Sequence, residues 1–419
     1  MIKAPIITLD QTEVSSVIKG GLWVSSGQLF NSIAAFLLTL LLSNFLLPED
    51  FGTFKYVLSV ALIINVLTLN GMNTAITQSV ARGFEGSFLK ALTVQLRWGV
   101  IALLVSIIVG LWHWQQGRPD LAFFIVLAGL VYPVTTSANT YKAVFLGRQS
   151  FRMFAFLSTV NTAFTLVAVI LVAIVSQSVG GIIVIYLLSS CVINLLLLYI
   201  TLRFAKLNAK EDKQLISYGR HLSLIAGIAS ISYNIDSIII YNYFGATTLA
   251  LYVLILAIPE QIRNFLRVVP AIALTKFSRL AKSKLIRAAD YSILVYSLFL
   301  VFITLLYLGF APSFFRWLFP KYLGALDYLN ISAFLIFGAL SDLPESVLSS
   351  VKAVKQIYIA GISKPVLQIL LILSLGIGFG VTGMIVARLI SFTFGFAYQY
   401  VLLRQKVASE KISRRGQPV

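Results

Sequence analysis

Uninterrupted apolar runs decide what this chain can fold into. Stretches such as 22–47, 121–146, 160–175 and 182–202 are predominantly hydrophobic. A bilayer core of ~30 Å takes about 20 apolar helical residues, so these runs span a membrane rather than fill a soluble core. The alternating segments of about ten residues that mark an outer-membrane barrel are not found. Composition agrees: of 419 residues, 58% are hydrophobic and 11% charged, with a mean hydropathy of +0.91, whereas soluble domains are about 25% charged. The expected class is an all-α integral membrane bundle.

Spans are predicted at 22–46, 54–80, 91–112, 120–146, 153–175, 180–202, 220–244, 247–273, 290–311, 325–350, 356–379 and 382–403, about twelve in all. Pro48, Gly117 with Pro119, Gly180 with Gly181, Gly245, Pro312, Pro320 and the glycines at 376–380 punctuate them. The basic residues fall mostly on one side: Arg82, Lys90, Arg97, Lys142, Arg148, Arg152, Arg203 to Arg220, Arg263 to Arg287, Lys352, Lys355 and Lys364, with both termini. The other side holds Lys55, Arg118, Arg316 and Lys321. By the positive-inside rule both termini are cytoplasmic, in a bacterial inner membrane. The net charge of +18 is thus read as topology rather than as a nucleic-acid surface. The first twenty residues lack the pattern of a cleaved signal peptide, and Cys191 is the sole cysteine, so no disulfide or cysteine metal site is expected.

The basic link near 203–220 divides the chain into an N-lobe, 1–210, and a C-lobe, 211–419, each of about six spans. Residues 44–54 (NFLLPEDFGTF) echo residues 242–252 (NYFGATTLALY), each at the turn between the first two spans of its half. The expectation is a parallel repeat about an axis normal to the membrane, with a central cavity.

Polar side chains inside spans are costly and gather at interfaces or wet cavities. Gln28, Asn31, Ser32, Thr39 and Ser43 mark the first span. The second has Asn65, then Asn70, Asn73, Thr74, Thr77 and Gln78 at helical spacing. Ser230, Tyr233, Asn234, Ser237 and Tyr241 mark the seventh. The bland reading is hydrogen-bonded glue between helices; the functional one is a lumen for a polar cargo, favoured by the amide density from Asn70 to Gln78.

Among ionisable residues, Asp236 in the seventh span is either a protonatable coupling site or a fixed partner for an arginine. Glu260, Arg263, Asn264 and Arg267 share one face of the eighth. Guanidiniums there suit a pyrophosphate, or else Glu260 simply neutralises Arg263 while Arg267 snorkels to the interface. Arg388 in the last span has Asp342 and Glu345 as possible partners in the tenth. His113 and His221 are too far apart in sequence to suggest a metal site. No phosphate loop, catalytic triad or HExxH is present, so no cofactor and no ATP consumption are expected, and proton or sodium coupling through Asp236 or Glu260 stays open.

The stretch Leu22 to Gly83, with the turn Leu47-Pro48-Glu49-Asp50-Phe51-Gly52 and Leu69-Asn70-Gly71-Met72 leading to Gln78, resembles polysaccharide-biosynthesis flippases. These Wzx-like proteins belong to the MOP superfamily, which includes the MATE exporters. Asn234 to Ser237, followed by Phe244-Gly245-Ala246 and Tyr252, is similar to their seventh-to-eighth span region. The resemblance implies a MATE-like V of two lobes that moves an undecaprenyl-diphosphate-linked oligosaccharide to the periplasmic leaflet for O-antigen, lipopolysaccharide or capsule assembly, beside a polysaccharide polymerase. It implies a cavity between the first, second, seventh and eighth spans. Ser237 stands where the family often has a basic residue after the aspartate. The alternatives are a MATE-type drug exporter, whose cationic cargo favours an acidic cavity; a lipid II flippase, which has two further helices; and a membrane polymerase or ligase, which carries large periplasmic loops.

Overall fold

The computed structural model describes residues 11–176, 178–278, 282–351 and 353–415. Both extreme termini, and Arg279 and Lys352 among the basic residues counted above, lie outside that set. The described residues form helices joined by short turns: α1 Gln11–Phe45, α2 Pro48–Ile64, α3 Met72–Ala81, α4 Ser87–Gln115, α5 Pro119–Ala138, α6 Tyr141–Gly147, α7 Phe151–Ser176 and α8 Val179–Phe204. After the link come α9 Leu215–Phe244, α10 Ala246–Leu266, α11 Val268–Ser278, α12 Lys282–Leu318, α13 Leu326–Ala333, α14 Asp342–Ser350, α15 Val354–Leu371 and α16 Ile377–Arg415.

Among the described residues, eleven continuous helical stretches are long and apolar enough to cross a membrane. The last, Val354–Lys406, runs 53 residues, far beyond the ~20 that one crossing takes. It breaks at Gly380, whose φ of 60° and ψ of −139° no side-chain-bearing residue adopts comfortably. Past the break Gly383 nearly touches the Leu375 carbonyl, where a Cβ would sit 2.0 Å from the oxygen. The chain therefore folds back, α15 packs along α16, and a twelfth crossing results. The multi-pass α-bundle read from the apolar runs is the fold.

Several predicted spans are divided: 120–146 is α5 and α6, 247–273 is α10 and α11, and 325–350 holds α13 and α14. The second span expected at 54–80 is two helices, α2 and α3, joined by a 3-10 turn over Asn65–Thr68 and a left-handed Leu69 with φ of 60°. Gln95 of α4 donates to the freed Leu69 carbonyl at 3.2 Å, and Thr68 Oγ1 donates to Asn65 and Asn70. Polar side chains in spans often re-satisfy a backbone that leaves the helix.

Within the first lobe α4 packs on α5, α1 on α7, and α8 on both α5 and α7; in the second α15 packs on α9 and α16, and α11 on α14. Across the lobes α2 lies on α9 and α10, and α3 on the start of α9. The two echoing turns meet there: Gly52 abuts the Ala246 carbonyl so closely that a Cβ would lie 1.9 Å from its oxygen. The link 205–214 is clasped to the first lobe alone. Glu85 accepts from Arg148 at 2.6 Å and from the Asn208 amide at 2.9 Å, and Asp212 accepts from Ser79 at 2.8 Å and pairs with Arg82.

Candidate functional site

The lobes seal against each other at the end that carries Pro48, Gly245 and Pro320. Apart from those that clasp the link 205–214 to the first lobe, several hydrogen bonds join the two lobes there. Asn44 Nδ2 donates to the Leu318 carbonyl at 2.9 Å, and the Lys321 ammonium caps the carbonyls of Asn44 and Leu46 at 2.5 and 3.1 Å. Tyr241 of α9 stacks on Tyr56 of α2, with ring centroids 3.9 Å apart, and its hydroxyl is 3.5 Å from Thr53 Oγ1. Phe51 meets Tyr322 edge-on at 6.3 Å. At the opposite end the lobes touch by packing, as where Gly219 meets the Met72 sulfur and Gly71 the backbone of Leu222 and Ser223.

Beneath the seal an ionic network ties α9, α10 and α16. Asp236 is 0% exposed. Its Oδ2 accepts from Arg388 Nη2 at 2.6 Å, Arg388 Nε at 2.9 Å and the Tyr252 hydroxyl at 2.5 Å, while Oδ1 accepts from the Ser237 amide at 2.7 Å. Arg388 also donates through Nη1 to Glu260 at 3.0 Å and through Nη2 to the Tyr233 carbonyl at 3.2 Å. The other oxygen of Glu260 accepts from the Tyr233 hydroxyl at 2.7 Å. The arginine's partners are thus Asp236 and Glu260, not Asp342 and Glu345. Sequence distance hid this, since Asp236 is 152 residues away and folding alone brings α9 and α16 together. A buried charge demands such closure, because a missing partner costs several kcal/mol.

The predicted cavity residues divide between buried and exposed positions. Asn65 is buried, holding Thr68 and Thr136 of its own lobe, and Asn31 accepts from Thr162 of α7 at 2.7 Å. Asn234 is buried and donates to the Ser230 carbonyl. Asn70 sits in the break after Leu69, and Asn73 is partly buried with its Oδ1 unpartnered. Gln28, Thr74 and Gln78 are exposed, and the Tyr233 ring is 52% exposed. The expected stripe on α10 splits. Glu260 joins Arg388, whereas Arg263 turns into its own lobe and lies 4.4 Å over the Phe392 ring; Asn264 is partly exposed and Arg267 exposed. The sequence reading missed Lys55. Counted among the loop charges, it lies inside α2, its ammonium 3.1 Å from Thr39 Oγ1 of α1 and over the rings of Phe51 and Phe54. Glu260 of the other lobe is within electrostatic reach, yet no carboxylate among the described residues pairs with it. Its place seven residues past Pro48, about 10 Å along a helix, was the signal.

Two clasp carboxylates lie outside the spans. The Arg148 hydrogen bond holds Glu85 below the usual carboxyl range. Burial opposes the charge of Asp212, but the Gln214 amide, Ser79 and Arg82 outweigh it and hold its pKa down.

With this geometry in view, a family model described as polysaccharide biosynthesis protein matches residues 17–275. No curated protein matches the chain. Solved structures share the fold at low identity. An inward-closed lipid II flippase, MurJ, aligns with a TM-score of 0.71 at 12% identity, covering 91% of this chain and 87% of that one. An outward-facing multidrug resistance MATE family transporter aligns at 0.65 and 15%, covering 94% and 96%. A MOP superfamily transporter from Pyrococcus furiosus, described as having a binding pocket of reversed polarity, aligns at 0.60 and 13%, covering 94% and 96%. These likenesses establish a MATE-like architecture of two lobes.

Proposed function

The chain belongs to the polysaccharide biosynthesis protein family, and from that premise we propose that it flips an undecaprenyl-diphosphate-linked oligosaccharide from the cytoplasmic to the periplasmic leaflet. The lobes alternate about the gap, and the cargo feeds assembly of O-antigen or capsule alongside a polymerase. The basic end, with Arg82, Arg148, Arg203 and Arg220, faces the cytoplasm of a bacterial inner membrane by the positive-inside rule. The sealed end then faces the periplasm, and cargo enters from the cytoplasmic leaflet.

The observation that carries this reading is the charge of the gap. Lys55 has only a hydroxyl as hydrogen-bond partner among the described residues, and Arg267 is exposed, whereas Asp236 is consumed within its own lobe. A diphosphate is the complementary ligand, and Gln28, Thr74, Gln78 and Tyr233 offer the sugar hydrogen bonds and a stacking ring. An organic cation, the cargo of a drug exporter, would be repelled by the same gap.

The test is movement of a fluorescent undecaprenyl-diphosphate oligosaccharide across proteoliposomes. Wild type is expected to move it, with Lys55→Ala and Arg267→Ala each slowing transport about tenfold or more, as loss of a charge-assisted contact worth about 1.5–3 kcal/mol implies. Efflux of an organic cation with no glycolipid movement would overturn the reading in favour of a drug exporter.

A further inference from the structure

A buried histidine sits in the seal. His113, in the last turn of α4, is 0% exposed; its Nε2 is 2.9 Å from the Tyr56 hydroxyl, and its Nδ1 has no hydrogen-bond partner among the described residues. Tyr56 is the residue that stacks across the lobes on Tyr241, and Asn242 of α9 donates its Nδ2 to the same hydroxyl at 3.5 Å. With Asn242 donating, the tyrosine proton has His113 Nε2 as its acceptor, an arrangement that favours the neutral Nδ1–H tautomer. A second proton would turn Nε2 from acceptor into donor. The Tyr56 oxygen would then face two donors, its own proton would lose its acceptor, and a cation would be enclosed in the seal.

Among the described residues no counter-charge is paired with the ring. Arg118, just before α5, hydrogen-bonds the His113 carbonyl through its backbone amide at 3.0 Å and adds positive charge. α2 presents Tyr56 and α9 presents Tyr241 and Asn242. Glu49 and Asp50 of α2 and Asp120 of α5 line, with Arg118 and Tyr241, a cavity of about 720 Å³ on the outer side of the seal; none of the three forms an ion pair with the imidazole.

We propose that His113 is a proton-binding site that controls this seal. Neutral, it accepts from Tyr56 and holds the residue that stacks on the other lobe; protonated, it is accommodated only when the lobes part and water reaches the ring. Because the proton then binds the open form more tightly than the sealed one, linkage raises the open population as pH falls. The change belongs to the histidine range of about pH 5–8. This rests on the alternating-access reading for the parting of the lobes and not for the identity of the cargo, and it makes an acidic outer compartment the driver of opening.

The test is a distance between spin labels at Val175→Cys and Leu323→Cys, exposed positions on the two lobes at the sealed end, with Cys191→Ser, in nanodiscs without cargo. In the otherwise unaltered protein the long-distance fraction should rise several-fold from about pH 8 to about pH 5.5. His113→Gln, whose carbonyl accepts from Tyr56 but does not titrate, should keep the short distance throughout. Tyr56→Phe, which keeps the histidine but removes its partner, should show the long distance at both pH values, and it stands in if the glutamine variant fails to fold. The combined variant Glu49→Gln, Asp50→Asn and Asp120→Asn should retain the pH response. A His113→Gln profile that tracks the wild type, or loss of the response in the carboxylate variant, overturns the proposal. Since no cargo is involved, failure of glycolipid transport would remove the flippase reading without moving these distances, and a flat profile would remove the histidine site alone.

Discussion

Arg388 carries the largest single-residue consequence. Its guanidinium satisfies a wholly buried Asp236 and half of Glu260, so truncating it strands a carboxylate in a low-dielectric interior. Arg388→Leu is expected to cost about 3–5 kcal/mol, read as a large fall in unfolding temperature, while Asp236→Leu with Arg388→Leu should recover most of that loss. Glu260→Gln should cost much less, because Glu260 is 24% exposed and takes only one of the arginine's bonds. Equal stability for Arg388→Leu and wild type would contradict the network. At this scale the sequence was only partly legible. It flagged Asp236, Glu260 and Arg388 because charge in a span is always purposeful. It could not pair them, since pairing depends on where α16 lies relative to α9. Lys55 was misread because a charge near a span boundary looks like a loop charge until the helix start at Pro48 is known. Asn65 and Asn31 looked like lumen residues, and their hydrogen bonds to Thr136 and Thr162 appear only in three dimensions.

Elements set the switch. The start of α2 can lie on the start of α10 only because residue 52 is glycine; a Cβ there would lie 1.9 Å from the Ala246 oxygen. Gly52→Leu should wedge the seal apart and lengthen the spin-label distance across it at every pH, with the fold intact by circular dichroism; an unchanged distance would count against this contact as the closing point. The link before α9 behaves differently. Glu85 and Asp212 have pKa values held below their unfolded values, so their contribution is complete above about pH 4.5. It drains as pH falls through the depressed folded values. Amides of residues 206–212 should therefore exchange faster below about pH 4 while α8 remains protected; protection unaffected by acid would contradict the clasp. Turn positions were legible from Pro48, Gly245 and the glycines near 380. The break at Leu69 was not, because Asn65 to Gln78 keeps helical spacing straight through it.

At the scale of the whole molecule, apolar run length dictated the crossings; the echo between residues 44–54 and 242–252 suggested a repeat but not that these two turns touch, as Gly52 and Ala246 do. Which end is shut was not legible: it depends on Tyr56, Tyr241, Asn44 and Lys321 finding partners across the gap. The central claim is that cargo crosses through this gap, and that the sealed end must open for it to leave. The most direct measurement is glycolipid flipping by Thr53→Cys, Tyr241→Cys, Cys191→Ser protein bridged across the lobes by a short bifunctional thiol reagent with a reducible link. Flipping should stop when the bridge forms and return when it is reduced; flipping that persists with the seal covalently shut would contradict the account.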